Sequence, residues 1–455
     1  MKEIRFTIQA VIVTVVLSGC AVHSGGGPNP RPLGGQYETF QAPKEPTRAE
    51  LPQSDRGGPT GTVTLENALA YALRLNPDLA AFSWEVRAAE ARAVQAGLRP
   101  NPEIGVEVEG FGGTGGQREL DAAVIKPMLS QRLELGGKRS KRARVAALEK
   151  DLAGWNYESK RLDVLTETRK AFVAVLGAQE RLALTADMVR LSVEIHEAVS
   201  IRVEAGRVSS LEETRAGVTL ATARIQHEHA RRDLNVARKR LAAAWGANSV
   251  TFDGVEGRLE GVTEIPPLEA LLVQTARNPE VARWNTETER RHASVEMEKA
   301  GRIPDLTLSG GIQRFNETGD HAYVVELSIP FPLFDRNQGS VRETEYRLAQ
   351  AGEQQRAADV KARLALGEAY GNLAAAYAEA SSLKDVVLPA AREALSATEE
   401  AYREGRLGYL DMLDAQRIYF EVREHWIGAL TDYHEAVADV EQLVGDVLFP
   451  AGQGQ

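Results

Sequence analysis

The hydrophobic positions change period along the chain in an order that occurs twice. Between Thr64 and Leu98, Leu65, Ala68, Leu69, Ala72 and Leu73 recur at helical spacing behind a threonine three residues ahead of Asn67, which predicts a capped helix. Pro267 to Ala300 predicts its counterpart. "LNPDLA" at Leu75 answers "RNPEVA" at Arg277, and the proline inside each predicts a kink or short break. The period then falls to two. Ile104, Val106 and Val108 alternate with Gly105, Glu107 and Glu109; beyond "GFGGTGGQ", Ile125, Leu129, Leu133 and Leu135 alternate with Lys126, Ser130, Arg132 and Glu134. In the second copy Leu306 and Leu308 alternate with Thr307 and Ser309. After a turn containing "NETGD", Tyr323, Val325, Leu327, Ile329 and Phe331 alternate with Val324, Glu326, Ser328 and Pro330. Each half therefore predicts one strand hairpin with one apolar face.

Helix follows each hairpin. Lys138 to Glu204 contains no proline, and its roughly 65 residues would reach about 100 Å at 1.5 Å per residue. Gly206 and Gly405 supply a stop, and Ser209 and Ser210, followed at three residues by Glu212 and Glu213, have the spacing of a capping box that restarts a helix. "EAGRVSSLEETRA" and "REGRLGYLDMLDA" are thus the tips of two helical hairpins. The returning helices, Leu211 to Trp245 and Leu410 to Val444, are about half as long as the outgoing ones, so the Thr64 and Pro267 helices must complete the length by stacking end on end. With Gly206 set on Gly405, an offset of 199 (405 − 206), Arg207/Arg406, Leu211/Leu410, Ala216/Ala415, Arg224/Arg423, Asp233/Asp432 and Gly246/Gly445 coincide without a gap. The chain is an internal duplication.

Strands of about 9–11 residues with one apolar and one polar face are long enough to cross a membrane in a barrel, but four strands cannot close one. Two arrangements satisfy the pattern: hairpins packed on soluble helices, or a barrel shared with further copies of the chain.

Composition narrows the function. The 455 residues are 43% hydrophobic and 26% charged, ample for a large core, and the net charge of −10 argues against a nucleic-acid partner, since phosphate is met mainly by clustered Lys and Arg. At the N-terminus, Lys2 and Arg5 precede an apolar run from Phe6 to Leu17, shorter than the roughly 20 residues of a transmembrane helix, which reads as an export signal. It ends in "LSGC", which resembles a lipoprotein lipobox, and Cys20 is the only cysteine, so it can form neither an internal disulfide nor a Cys-rich metal site. Lipidation at Cys20 is the use that its position suggests. Ala21, not Asp, follows it, which in the lipoprotein sorting pattern points to the outer membrane. Residues 23 to 61 are rich in Pro and Gly and show neither period, as in a linker or wrapping arm.

Other apparent motifs carry less. "GGKRS" at Gly136 lacks phosphate-loop spacing; Lys138, Arg139, Lys141, Arg142 and Arg144 lie either near inner-leaflet headgroups or on a solvated helix start. His227 and His229 fall on different helix faces. Neither a nucleophile with its base, nor a metal-ligand spacing, nor a cofactor fingerprint is present in the sequence, so neither an enzyme nor a cofactor is expected.

The signal and lipobox, the repeated order of helix, hairpin, long helix, tip and returning helix, and the tip sequence "YREGRLGYLDMLDAQRIYF" resemble the TolC-type outer-membrane efflux factors from Val63 to Gly445. "SQRLELGGKRSKRARVAALE" and "SIPFPLFDRNQGSV" look most like the CzcC/CusC-type factors of heavy-metal efflux. That resemblance implies a mainly α protein with membrane β: a homotrimer whose four strands per chain make a twelve-stranded barrel, continued by a helical tunnel through the periplasm. The domains would be residues 1–19 (signal), 20–62 (lipidated arm), 63–260 (first repeat) and 261–455 (second repeat and tail). The function implied is a passive exit duct for heavy-metal cations, fed by an inner-membrane pump of the resistance-nodulation-division (RND) type through a periplasmic adaptor. Export of drugs or other organic molecules, or a non-conducting lipoprotein that bridges the periplasm, are the alternatives.

The resemblance also assigns roles at the tips. Asp411 and Asp414 fall where acidic rings line the periplasmic aperture, Tyr402 where a tyrosine makes closing contacts, and Glu212 answers Asp411 through the repeat. Gly206, Arg207, Val208, Gly405, Arg406 and Leu407 form the adaptor-docking ends. Leu407 stands where the prototype has a gating arginine, and Arg215 answers Asp414. On the residues alone, acids in a first helical turn equally well oppose the helix dipole.

Overall fold

The computed structural model describes residues 32–44 and 58–449. Cys20 and the signal segment lie outside the described residues. Strand β1 (Gly61–Thr64) leads into α1 (Leu65–Leu75), capped by Thr64 Oγ1, which accepts the Asn67 N–H at 3.3 Å. The break expected at "NP" is there: Asn76 leaves the helical conformation and caps α2 (Pro77–Ala96) by accepting the Leu79 N–H at 2.9 Å. Pro77 occupies the first turn, where its missing N–H costs nothing. In the second repeat the equivalent stretch is more broken: α5 (Leu268–Leu272), a 3₁₀ turn, then α6 (Pro279–Gly301) capped by Asn278.

The hairpins are β2 (Glu103–Glu109) with β3 (Val124–Leu133), and β5 (Leu306–Phe315) with β6 (His321–Ser328). They join through β3 and β5 into one antiparallel sheet of order β2-β3-β5-β6, with β2 and β6 as open edges. The pairings Ile104↔Leu129, Val108↔Ile125, Leu308↔Leu327 and Ile312↔Tyr323 put the predicted apolar set on one face. The other face carries Glu103, Glu107, Glu109, Lys126, Arg132 and Glu326, with Ser130 and Ser309 hydroxyls 2.9 Å apart across the β3–β5 seam. β6 stops before Pro330 and Pro332, which cannot donate to a ladder.

Helix α3 spans Lys138–Glu204, the predicted limits, and returns as α4 (Ser210–Ala243). Alanines 216, 223, 230 and 237, seven residues apart, are buried on α4, a small-residue stripe that lets it lie close along α3. The second outgoing helix is not continuous. α7 (Gln338–Ser382) passes through a π-turn, Leu383–Val387, before α8 (Leu388–Arg403), and α9 (Tyr409–Val444) returns.

β1 pairs in parallel with β4 (Phe252–Glu256), a contact that the sequence pattern did not announce. Around it Trp245, packed between Tyr71 and Phe252 at 6.4 and 5.8 Å, closes the largest apolar core, with Phe172, Leu176, Leu241, Leu383, Trp426 and Leu430. Residues 32–44 pack on a second apolar cluster, where Leu33 meets Leu69, Leu73, Leu79, Leu162 and Leu165. The Phe40 N–H donates to Leu73 O at 3.0 Å, Tyr157 Oη to Phe40 O at 2.9 Å, and Arg161 to Leu33 O at 2.9 Å. The arm's sequence gave no period because its bonds go to other elements.

The helices form two stacked layers. α4–α3–α9–α8 is the order toward the tips, and α2–α3–α6–α7 the order toward the sheet. Both layers and the sheet end on one side in the first repeat (α4, α2, β2) and on the other in the second (α8, α7, β6).

Candidate functional site: tips and amphipathic sheet

Each tip is built by a glycine in the left-handed conformation, φ +67° at Gly206 and +76° at Gly405, which a Cβ would disfavour. The turn returns donors to the ending helix: the Gly206 N–H bonds Val203 O at 2.9 Å and the Arg207 N–H bonds Arg202 O at 2.9 Å. Gly405 N–H to Tyr402 O at 3.0 Å and Arg406 N–H to Ala401 O at 2.8 Å repeat the pattern. Arg207, Gly405, Arg406 and Leu407 are exposed at the ends, and Val208 is half-buried. Ser209 caps α4 through the Leu211 N–H at 3.2 Å, whereas Glu213 accepts from Ser200 Oγ on α3 at 2.8 Å. The side-chain-to-N-cap half of a capping box forms in the second tip, where Asp411 Oδ2 accepts the Gly408 N–H at 3.0 Å.

The two tips of one chain are fastened to each other. Val199 and Ala216 of the first hairpin share a buried cluster with Tyr409 and Met412 of the second. Beside it Arg202 Nη1 donates to Tyr402 Oη at 2.7 Å, with its guanidinium 5.1 Å from that ring's centre. Arg202 is the residue that sequence reasoning missed. It lies four positions before Gly206, and only the fold brings it to Tyr402. Tyr402 also stacks at a tilt on Tyr409, 6.4 Å between centroids. Tyr409 Oη is buried without a hydrogen-bond partner. Burial first, then the charges of Tyr402 and Glu212, push its pKa up to about 12, so it stays a neutral phenol.

The expected acids are exposed on α9. Asp411 caps its own helix, and Asp414 pairs with Arg417 at 2.6 Å, which also holds Glu421 at 2.9 Å. Glu212, half-buried on α4, reaches the field of Tyr409. The structure thus gathers Tyr402 and Glu212 around Tyr409 and leaves Asp411 and Asp414 on the solvent side of one chain.

At the other end of the molecule the apolar sheet face is open. Ile104, Val106, Tyr323 and Val325 are 83%, 64%, 87% and 77% exposed, with none of the described residues packed over them. No helix among the described residues is long and apolar enough to cross a membrane. Three cations of "GGKRSKRAR" meet acids closely: Lys138 meets Asp305 at 2.7 Å, Arg142 Glu134 at 2.6 Å and Arg144 Glu289 at 3.1 Å. The Lys138 and Arg144 pairs fasten the start of α3 to the second repeat at the junction of sheet and helices, and Arg142 ties it to the end of the preceding strand. His227 Nδ1 lies 3.2 Å from Thr185 Oγ1 and belongs to no cluster of metal-binding groups among the described residues.

An amphipathic open sheet above a long helical body with two fastened tips defines the class of TolC-like channels. The chain belongs to the outer membrane efflux protein family, which matches residues 68–247 and 273–446, one block per repeat. Its place is therefore the outer membrane, with the helical body extending into the periplasm. It is 33% identical over 385 residues, 85% of this chain and 90% of the relative, to the cobalt-zinc-cadmium resistance protein CzcC of Cupriavidus metallidurans. To the nickel and cobalt resistance protein CnrC of the same species it is 29% identical over 317 residues, 68% and 73% of the two chains. Among solved structures the CusC channel superposes with a TM-score of 0.71 at 17% identity, covering 90% of this chain and 99% of that one.

Proposed function

We propose that this protein is the passive exit duct of a tripartite efflux system for heavy-metal cations, working as a homotrimer with a periplasmic adaptor and an inner-membrane RND pump. The observation that carries the reading is the sheet: an uncovered apolar face bounded by two unpaired edges. In hydrocarbon each open edge would strand backbone donors and acceptors at several kcal/mol apiece, so the edges must be satisfied by other copies. Head-to-tail packing of β6, α7 and α8 of one copy on β2, α2 and α4 of the next pairs all three levels at once and closes a ring. Leu211, Val218 and Ile225, spaced by seven and 54–62% exposed on the free face of α4, supply apolar contacts for that seam. Three copies give twelve strands.

The polar sheet face then lines the pore, and the tips form its periplasmic end. Asp411 and Asp414 ring the aperture, Tyr402 and Glu212 belong to the closing contacts, and Gly206, Arg207, Val208, Gly405, Arg406 and Leu407 meet the adaptor. Cys20 carries the lipid. The metal cargo rests on the similarity to CzcC and CnrC, and energy comes from the pump.

Native mass spectrometry and planar-bilayer recording of the purified protein test the duct, with a conducting trimer as the expected result; a stable conducting monomer overturns it. Deleting the gene should sensitise cells to cobalt, zinc or cadmium, with rescue by the intact gene. Sensitisation to organic drugs alone would reassign the cargo. Labelled palmitate should enter the wild type and not Cys20→Ser; equal labelling removes the anchor.

A further inference from the structure

We propose that arginines at the junction of sheet and helices form a collar that binds the anionic phospholipid headgroups of the leaflet facing the periplasm. The inference rests on the reading of the sheet as part of a membrane-spanning barrel. Residues 97–105, 132–142, 299–306 and 328–342 hold the four connections between strands and helices. They carry ten Lys and Arg against four Asp and Glu, a net charge of +6 in a chain of −10 overall. A trimer would gather three times that charge at one level.

The cations there divide into two sets. One is spent on the fold: Lys138 is held by Asp305, Lys141 reaches Glu296, and Arg142 clamps Glu134 together with the carbonyls of Ala96 and Leu98 at 2.9 and 3.2 Å, which fixes the loop ahead of β2. The other set, Arg99, Arg139, Arg302 and Arg336, has no ion-pair partner among the described residues; three are exposed and Arg139 is half-buried. One stands on or beside each connection. Arg132 is set apart on the polar sheet face. The turn that presents Arg336 is pinned, since Asn337 Nδ2 donates to Glu298 O and Oε2 at 2.9 and 2.7 Å and the Arg336 N–H to Gln338 Oε1 at 2.8 Å.

These four lie at the height of a headgroup layer. From Tyr323 to Phe331 the outward apolar series covers about 21 Å, at roughly 3.4 Å per residue and a tilt of about 40°, close to the roughly 25 Å band of an outer-membrane barrel. Ile329, Phe331, Leu333 and Phe334, 54–85% exposed, end that band with the aromatic residues of an interface, and Arg336 follows directly. A guanidinium is permanently charged and meets phosphate bidentately, so the phosphodiester of an anionic phospholipid supplies the partner that the chain withholds.

Native mass spectrometry of the full-length protein in non-ionic detergent, with phosphatidylglycerol or phosphatidylcholine of the same acyl chains added, reads the collar without recourse to conductance. The wild type should retain phosphatidylglycerol at least about tenfold more strongly, and raising ammonium acetate from about 0.05 to about 0.5 M should cut that preference at least about fivefold. Arg99→Gln, Arg139→Gln, Arg302→Gln and Arg336→Gln together should bring the two lipids to within about twofold, whereas Arg347→Gln with Arg356→Gln, both on the exposed face of α7, should not. Equal retention of the two lipids by the wild type, an unchanged preference in the fourfold variant, or stronger retention of lipid A than of phosphatidylglycerol would overturn the collar and leave the barrel standing. Retention of neither lipid by the wild type would overturn the barrel and the collar with it. Should the fourfold variant misfold, the wild-type preference and its salt dependence still decide.

Discussion

Removing the charge of Asp411 and Asp414 without removing their hydrogen bonds should abolish cation preference at the periplasmic aperture. The structure dictates the variant. Asp411 holds the Gly408 N–H at 3.0 Å, so alanine there loses a helix cap worth about 1 kcal/mol, whereas asparagine keeps an acceptor. Asp411, Asp414 and Glu421 against Arg417 leave two net negative charges per copy, about six in a trimer, and Asp411→Asn with Asp414→Asn brings the sum to zero. At about 8 Å and an effective dielectric of roughly 40–80, one unit charge contributes about 0.5–1 kcal/mol to a cation on the axis. Six give about 3–6 kcal/mol, which a Debye length of about 10 Å at 0.1 M salt cuts roughly in half. A tenfold selectivity needs only about 1.4 kcal/mol. Reversal potentials in a KCl gradient should therefore show a potassium-to-chloride permeability ratio above about 10 in the wild type and near 1 in the double variant. An unchanged reversal potential with the trimer intact would refute the ring and leave these acids as helix-start residues.

Tyr402→Phe removes the hydroxyl that accepts from Arg202 and should cost about 1 kcal/mol per chain; with three copies acting together the open fraction in bilayer recordings should rise by roughly a hundredfold, and Arg202→Ala should do at least as much. Glu441→Gln leaves the half-buried Arg169 without its counter-ion while keeping an acceptor for the Leu448 N–H, and should lower stability by about 1–3 kcal/mol, read as a fall in thermal midpoint that breaking the exposed Arg356–Glu353 pair does not cause. Burial lowers the pKa of His434, against the opposing 2.8 Å contact with Leu259 O and with some help from Arg169. The folded protein thus binds fewer protons there than the unfolded chain, its contribution is fully present above about pH 6.5 and is lost as pH falls below that, and His434→Gln should flatten the decline of denaturation midpoint between pH 7 and pH 5.

What the sequence disclosed was whatever repeats locally. The 67 residues of α3 were legible because no proline or glycine pair interrupts a helical period, and the strands because every second residue changes character. The same logic hid other features. β1 and β4, four and five residues long, are too short to show a period and owe their pairing to Trp245 and Phe252. Pro389 was the available signal for the π-turn, and it is informative only once the repeat is aligned and Arg190 is seen in its place. At the tips, the glycines and caps could be read from spacing. The Arg202–Tyr402 contact could not, because it joins residues 200 apart through the packing of two hairpins. The double duty of Asp411, cap and charge, likewise appears only when the Gly408 N–H is located.

The shared ends of the three levels bear on how such a protein is made. A lone chain presents a greasy sheet with raw margins, which neither water nor lipid accepts, yet its helical layers hold a complete core of their own around Trp245. Biogenesis in the proposed ring therefore has a direction: the periplasmic rods fold first, find their neighbours, and only the finished assembly has a barrel to give to the bilayer. Membrane entry becomes the last consequence of assembly, and a copy whose α4 seam is spoiled would strand its partners in the periplasm along with itself.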